Sequence, residues 1–338
     1  MDMLSKIPKR VSIADITLRD GLQAEEKVIP TEAKLFIIKG LLEAGFTEIE
    51  VTAFAPPQYQ PQFRDCEDLL RLVPDRKDVV YSCVTTSRKA TERAFAAAQK
   101  GLRVDRILVG ITPGGEKLTK TVSGMSYREA WEWIEESVKN ARQLGIKVNA
   151  FITGIFSPVT EEGIDPMEQG LEFVDRLLEI GVDDIEHPDH LGEATPDKVY
   201  KYFSKVLENH PDPRLHIFHV HDARHMGIAC YFAALLAGVA RFETTMGGLG
   251  GWPASFVNGV PVGGLKWLVE VSRHPGLVCT EDFLVMLDGM GVETGIDPAK
   301  VLKLSSFVEK IIGRNLWAVS PGPGRVPRKP VELKTSRN

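Results

Sequence analysis

His219 and His221 are the residues whose type and spacing most directly suggest chemistry. On an extended segment, residues two apart point to the same side, so both imidazoles can face one point. Asp20, in the run Arg19-Asp20-Gly21-Leu22-Gln23, adds a carboxylate. Two imidazoles and one carboxylate, with positions left open, suit a divalent cation that must also hold substrate. The plainer alternative for an isolated His-x-His is two polar residues satisfied by neighbouring strands. Arg19 reads either as an ion-pair residue or as a permanent positive charge set against a developing enolate. Glu50, within Ile49-Glu50-Val51-Thr52, is either a structural carboxylate or the group that orients Arg19 and the ligands.

Other polar residues gather near the same segment ends. Gln23, His187, His190, Arg224 and His225 are candidates to contact substrate, and Asp222 reads as a brace for the loop behind His221. The run Met246-Gly247-Gly248-Leu249-Gly250-Gly251-Trp252-Pro253 is rich in glycine. Backbone around Gly250 can wrap closely on a ligand, with Trp252 as the apolar face of a flexible cover. No Gly-Lys-Ser/Thr follows, so this is not a nucleotide-binding loop of that type.

These residues must be positioned by the elements between them. Short apolar, β-branched runs alternate with longer amphipathic stretches. The runs are 11–17, 49–52, 79–85, 106–111, 148–152, 182–186, 215–221 and 242–246. Helical spacing follows most of them, for example Leu35, Ile38, Leu41 and Leu42 before a stop at Gly45, and Pro166 to Ile180 before Gly181. Eight such units predict an all-parallel sheet. The first run is followed by Thr17-Leu18-Arg19-Asp20-Gly21 rather than a G-x-G-x-x-G fingerprint, which favours a closed (β/α)8 barrel over an open doubly wound sheet. In such a barrel the site lies at the C-terminal strand ends, where the polar residues above collect. We expect one catalytic domain over 1–315, a long loop after the eighth strand, and a proline-rich basic extension over 316–338.

The chain has 338 residues, 43% hydrophobic, with 41 Lys+Arg against 46 Asp+Glu. That composition is globular, and a net charge of -5 argues against nucleic acid or an anionic membrane as partner. No apolar run is long enough for a spanning helix or a secretory signal. Cys66, Cys83, Cys230 and Cys279 form no metal-like spacing, and a reducing, cytoplasmic setting is expected.

Taken together, Arg19-Asp20-Gly21-Leu22-Gln23, His219-x-His221-Asp222 and Gly248-Leu249-Gly250-Gly251 resemble the DRE-TIM metallolyases, a superfamily of metal-dependent lyases and synthases, over about residues 8 to 315. Within it the chain is most similar to the hydroxymethylglutaryl-CoA lyase family. The resemblance implies a TIM barrel in which Asp20, His219 and His221 bind Mg2+ or Mn2+. It also implies that Arg19 stabilises an enolate, Glu50 supports the arginine and metal shell, and Asp189 sits near the reacting hydroxyl. The implied reaction is retro-Claisen or retro-aldol cleavage of a 3-hydroxy-acyl-CoA thioester by a homo-oligomer. The rivals are a Claisen-type synthase joining an acyl-CoA to a 2-oxo acid, a 2-oxo-acid aldolase, and a barrel metal hydrolase.

The chain departs from that family at recognisable places. Trp252 stands where the lyases carry a cysteine, and Leu277 where they carry a further metal-binding asparagine. Asn258, in the long 253–275 loop, is a candidate replacement ligand. Glu186-His187-Pro188-Asp189-His190 replaces the family's smaller Ser-Leu-Gly-Asp-Thr, so His187 is expected to shape the pocket. A different substrate from the family's usual one is expected.

Overall fold

The computed structural model describes residues 3–251, 256–258, 260–261 and 276–327. Eight parallel strands close into a barrel in sequence order. They are β1 (Ser12–Asp15), β2 (Glu48–Ala53), β3 (Val80–Val84), β4 (Arg106–Ile111), β5 (Lys147–Ile152), β6 (Asp184–Asp189), β7 (His216–Val220) and β8 (Arg241–Thr244). Closure is made by β1 against β8, with Ser12 beside Arg241 and Asp15 beside Thr244. The helices around the strands are α1 (Thr31–Ala44), α2 (Cys66–Leu72), α3 (Arg88–Gln99), α4 (Glu116–Ser123), α5 (Tyr127–Gln143), α6 (Pro166–Ile180), α7 (Pro196–Asn209), α8 (Gly227–Ala237), α9 (Thr280–Met290) and α10 (Pro298–Ile312). The expected (β/α)8 architecture is therefore the one observed.

The two faces of the strands differ sharply. Outward residues such as Ile49, Val51, Ile107, Val109, Phe218 and Phe242 are buried under the helices and form the main apolar core. The inward face carries the charged groups, beside apolar residues such as Leu108 and Ile217. At the floor, alternate strands contribute Glu48, Arg106, Asp184 and Arg241. Glu48 Oε2 accepts from Arg106 Nη1 at 2.8 Å and from Arg241 Nη2 at 2.7 Å. Asp184 Oδ2 pairs with the same arginines at 3.1 and 2.9 Å. A layer of four side chains from alternate strands is the usual filling of such a barrel, but here charge complementarity replaces branched aliphatics.

Several elements differ from the sequence reading: β1 ends at Asp15 rather than Thr17, and within the segment read as one long loop Phe256–Val257 pairs with Val260–Pro261. β6 runs through Pro188 to Asp189, because Pro188 still pairs with His219 of β7. Between β4 and β5 an extra short helix, α4, precedes α5. The segment after α10 returns to the barrel top, where the Trp317 N–H donates to the Gly247 carbonyl at 2.9 Å. Cys66, Cys83, Cys230 and Cys279 are free thiols. Among the described residues no helix is long and apolar enough to cross a membrane.

Candidate active site

The first functional side chains sit on an unusual turn. Directly after β1, Thr17–Gly21 forms a wide π-type turn that is wholly buried, with the Gly21 N–H reaching back to the Ile16 carbonyl at 3.3 Å. Such widened turns are uncommon and often functional. This one aims Arg19 and Asp20 across the barrel mouth. Arg19 donates through Nε to Glu50 Oε1 and through Nη1 to Asp20 Oδ2, the latter at 2.8 Å. Gln23 Nε2 donates to the Gly251 carbonyl at 2.7 Å and to Asp20 Oδ2 at 3.3 Å, tying the turn to the glycine-rich run. Gly250 approaches Asp20 so closely that a Cβ there would stand 2.7 Å from Oδ1, at a φ of 132°.

Opposite them, strand alternation sorts the histidines. Ile217, His219 and His221 face inward from β7 and its end, while His216 and Phe218 face the helices. His219 Nδ1 lies 2.9 Å from Glu243 Oε2 and 3.1 Å from Glu186 Oε1. His219 Nε2 is buried without a hydrogen-bond partner. His221 Nε2 lies 3.8 Å from Asp20 Oδ1. His190, on the inward register of β6, packs its ring 5.4 Å from His219 and 5.7 Å from His221, and its Nδ1 meets the Thr153 hydroxyl. One donor atom from each of His190, His219 and His221 lies within 4.8 Å of the others.

Charge is concentrated here. Burial would lift Asp20, but Arg19, His221 and His219 outweigh it and hold the carboxyl below its ordinary value. Burial lifts Glu50 to about 7 against the pull of Arg19. Burial and the neighbouring Glu186 likewise lift Glu243 to about 7. His219 is pushed down by burial and up, more strongly, by Glu186 and Glu243, to about 10. Among the described residues, the His219 nitrogen without a partner, the adjacent imidazoles and the Asp20 carboxylate form a donor set suited to a divalent cation.

A cavity of about 310 Å3 opens from this cluster. Its polar end is Arg19, Asp20, Gln23, Glu186, His190 and His221. Its other arm runs between β3, β4, β5 and α5 and is lined by Val84, Leu108, Met125, Trp133 and Phe151, with Val122 of α4. Phe151 lies over Gly110, where a Cβ would stand 2.0 Å from the ring.

Several expected site residues lie elsewhere. His187 faces outward, buried between Tyr202 and His216, because it is one residue out of register with Glu186 and Pro188. It does not shape the pocket. Asp189, also outward, spends both oxygens on loop N–H groups of Glu193 and Ala194, so it is a brace rather than a group beside a reacting hydroxyl. Asn258 is exposed in a turn with φ 51°, its N–H bonded to Glu26, and it does not line the cavity. Arg224 and His225 are exposed, Arg224 holding the Leu191 and Gly192 carbonyls. Asp222 accepts from the Gly227 N–H at 2.7 Å, as a loop brace would. Trp252 lies outside the described residues.

Glu243 and Thr153 were not anticipated as site residues. The spacing Arg241-x-Glu243 was the available signal, since it places both on the inward face of β8, Arg241 at the floor and Glu243 beside His219.

A closed parallel barrel with arginine, carboxylates and imidazoles converging at its C-terminal mouth has the arrangement of a barrel enzyme with a donor set that could hold a metal ion. Comparison with known proteins agrees. The HMGL-like family matches residues 10–308. Mitochondrial hydroxymethylglutaryl-CoA lyase of Bos taurus is 29% identical over 307 residues, covering 91% of this chain and 87% of the relative. A solved HMG-CoA lyase from Acinetobacter baumannii, in complex with coenzyme A and 3-methylmalate, superposes with a TM-score of 0.80 at 25% identity, covering 96% of this chain and 98% of that one. The Bacillus subtilis HMG-CoA lyase structure gives a TM-score of 0.80 at 25% identity, over 94% and 98% of the two chains. The chain belongs to the HMGL-like family, and its enzyme class is that of a carbon–carbon lyase.

Proposed function

We propose that this protein cleaves a 3-hydroxy-acyl-CoA thioester by retro-Claisen chemistry, with Asp20, His219 and His221 as ligands of a divalent cation. The barrel to about residue 315 is the catalytic domain and 316–338 its extension. The observation that carries this reading is Arg19, held by Glu50 and Asp20 at the rim of the cavity that also exposes His221. A guanidinium fixed by two carboxylates cannot swing away, so its positive charge is in place before charge develops in the substrate.

A bound cation supplies further positive charge that polarises the hydroxyl and carbonyl oxygens of the substrate. The chain's own groups divide the remaining work. Glu186 lines the cavity, and its Oε2 is buried without a hydrogen-bond partner, so it is the carboxylate placed to take the tertiary hydroxyl proton. The electron pair of that O–H bond forms the product carbonyl, and the C2–C3 bond breaks. Its electrons pass to the thioester as an enolate facing Arg19, and protonation at carbon gives the acyl-CoA product. The apolar arm from Val84 to Phe151 favours a substituent at C3 larger than methyl.

Incubation with a series of 3-hydroxy-3-alkylglutaryl thioesters and a divalent cation, with product analysis, tests the reading. Cleavage into an acyl-CoA and a 3-oxo acid is expected, fastest for the longer alkyl groups. Equal or faster cleavage of the methyl compound would remove the altered-substrate part. Hydrolysis that leaves the carbon skeleton intact would remove the lyase reading.

A further inference from the structure

We infer that His190 is a third imidazole ligand of the cation site, and that the site selects a borderline transition-metal dication such as Co2+, Fe2+ or Zn2+ over Mg2+. The inference rests on the preceding reading of this cluster as a cation site and specifies its chemistry. Three observations carry it. The donor atoms of His190, His219 and His221 come within 4.8 Å of one another, close enough for one ion to reach all three with small rotations. His190 also shares a feature with His219: the Nδ1 of each is engaged by an oxygen, the Thr153 hydroxyl in one case and Glu243 in the other. Ligating histidines are ordinarily held this way, which fixes the ring and directs Nε2 to the metal.

The third observation concerns oxygen donors. Leu277 bridges its backbone to His221 and turns its side chain toward Gly250, so this wall of the mouth is apolar. Asn258 is exposed in its turn. Glu186 and Glu243 lie against His219 Nδ1, at 3.1 and 2.9 Å, where they orient that ring, and Asp20, 3.8 Å from His221 Nε2, is the carboxylate that joins the imidazoles as a ligand. Mg2+ demands a near-octahedral shell of oxygen donors and gives up water reluctantly. A set with more imidazole than carboxylate favours the borderline ions, whose affinities also rise along the first transition series.

The test uses the full-length protein stripped of metal. Calorimetric titration with Co2+ and with Mg2+ is combined with the visible absorption spectrum of the Co2+ form. Co2+ is expected to bind at least about 100-fold more tightly than Mg2+. His190→Thr should weaken Co2+ binding by no less than the roughly 10–100-fold lost with a supporting group, and should alter the absorption bands. It should leave Mg2+ binding nearly unchanged. Thr153→Val removes only the orienting hydroxyl and should weaken Co2+ binding by about 10-fold, which keeps the inference testable if His190→Thr fails to fold. Similar affinities for Co2+ and Mg2+, or a His190→Thr protein with wild-type Co2+ affinity and spectrum, would overturn the inference and leave the cation site standing. Binding of neither ion would overturn both.

Discussion

His187 Nε2 and His216 Nδ1 lie 3.1 Å apart on the outer face of the barrel wall, one residue along the chain from groups that face the cavity. His187 Nδ1 completes the chain at the Tyr202 hydroxyl, also at 3.1 Å. Burial and the neighbouring His216 hold His187 well below the usual histidine range, so it is neutral and serves packing. His187→Leu strands two buried polar groups and should cost roughly 1–3 kcal/mol of stability. Urea unfolding should register that loss while the turnover of folded protein stays at wild-type level. A fall in turnover of more than a few-fold would place His187 back in the site.

Arg19 reaches Glu50 and Asp20 together because its donors form a planar fork. Lysine keeps the charge but cannot make both contacts. Arg19→Lys should therefore lower kcat by about 10²–10³, the scale of losing one preorganised charge at a developing oxyanion. KM should move far less. A kinetic series on the thioester substrate measures this, and a variant within tenfold of wild-type kcat would contradict the role.

Gly250 bears on Asp20 and on Leu277, where a Cβ would come within 2.7 and 2.9 Å. Its φ of 132° adds a conformation that other residues adopt only with strain. Gly250→Ala should cost roughly 1–3 kcal/mol and weaken cation binding by displacing the carboxylate. Gly289, within α9 and with nothing inside 4 Å, is the matched control. Gly289→Ala should be neutral or slightly stabilising in the same melts and titrations.

The floor of the barrel sets a pH dependence. Burial would raise Glu48, but Arg241 and Arg106 overcome it and bring the carboxyl down to about 2 from 4.5. A carboxylate with a depressed folded pKa stabilises the fold above its unfolded value and loses that contribution as pH falls. The window here is from about pH 4.5 to about pH 2. Glu48→Gln leaves two buried arginines with one carboxylate and should cost on the order of 3–5 kcal/mol near neutral pH. Unfolding curves of the two proteins should converge on acidification through that window. A constant gap between them would refute the account.

Much of this molecule was legible in the order of its residues. Eight apolar runs separated by helical patterns and closed by glycines such as Gly45 and Gly181 led to the barrel, because a parallel strand needs a crossover before the next. His219, His221, Arg19 and Asp20 were visible as a group because strand ends collect at one rim. What stayed hidden depended on register. A difference of one residue decides whether a side chain enters the barrel or meets a helix, and the run Glu186-His187-Pro188-Asp189-His190 looks equally polar at every position. Once β6 continues through Pro188, Glu186 and His190 turn inward while His187 and Asp189 turn away. The charged floor was equally obscure, since its four residues are distant in sequence and meet only on closure.

The contact between Trp317 and Gly247 has a consequence for biosynthesis. Gly247 sits under Leu316, where a Cβ would come within 2.4 Å of that side chain, and its carbonyl is held by the Trp317 N–H. The glycine turn thus takes its brace from a segment about seventy residues downstream, translated after all eight strands. A nascent chain on the ribosome can complete its sheet while the rim above it has only its barrel contacts, such as the Met246 N–H on the Thr17 hydroxyl at 2.7 Å. These last contacts of the rim can therefore form only after the residues that follow α10 have emerged.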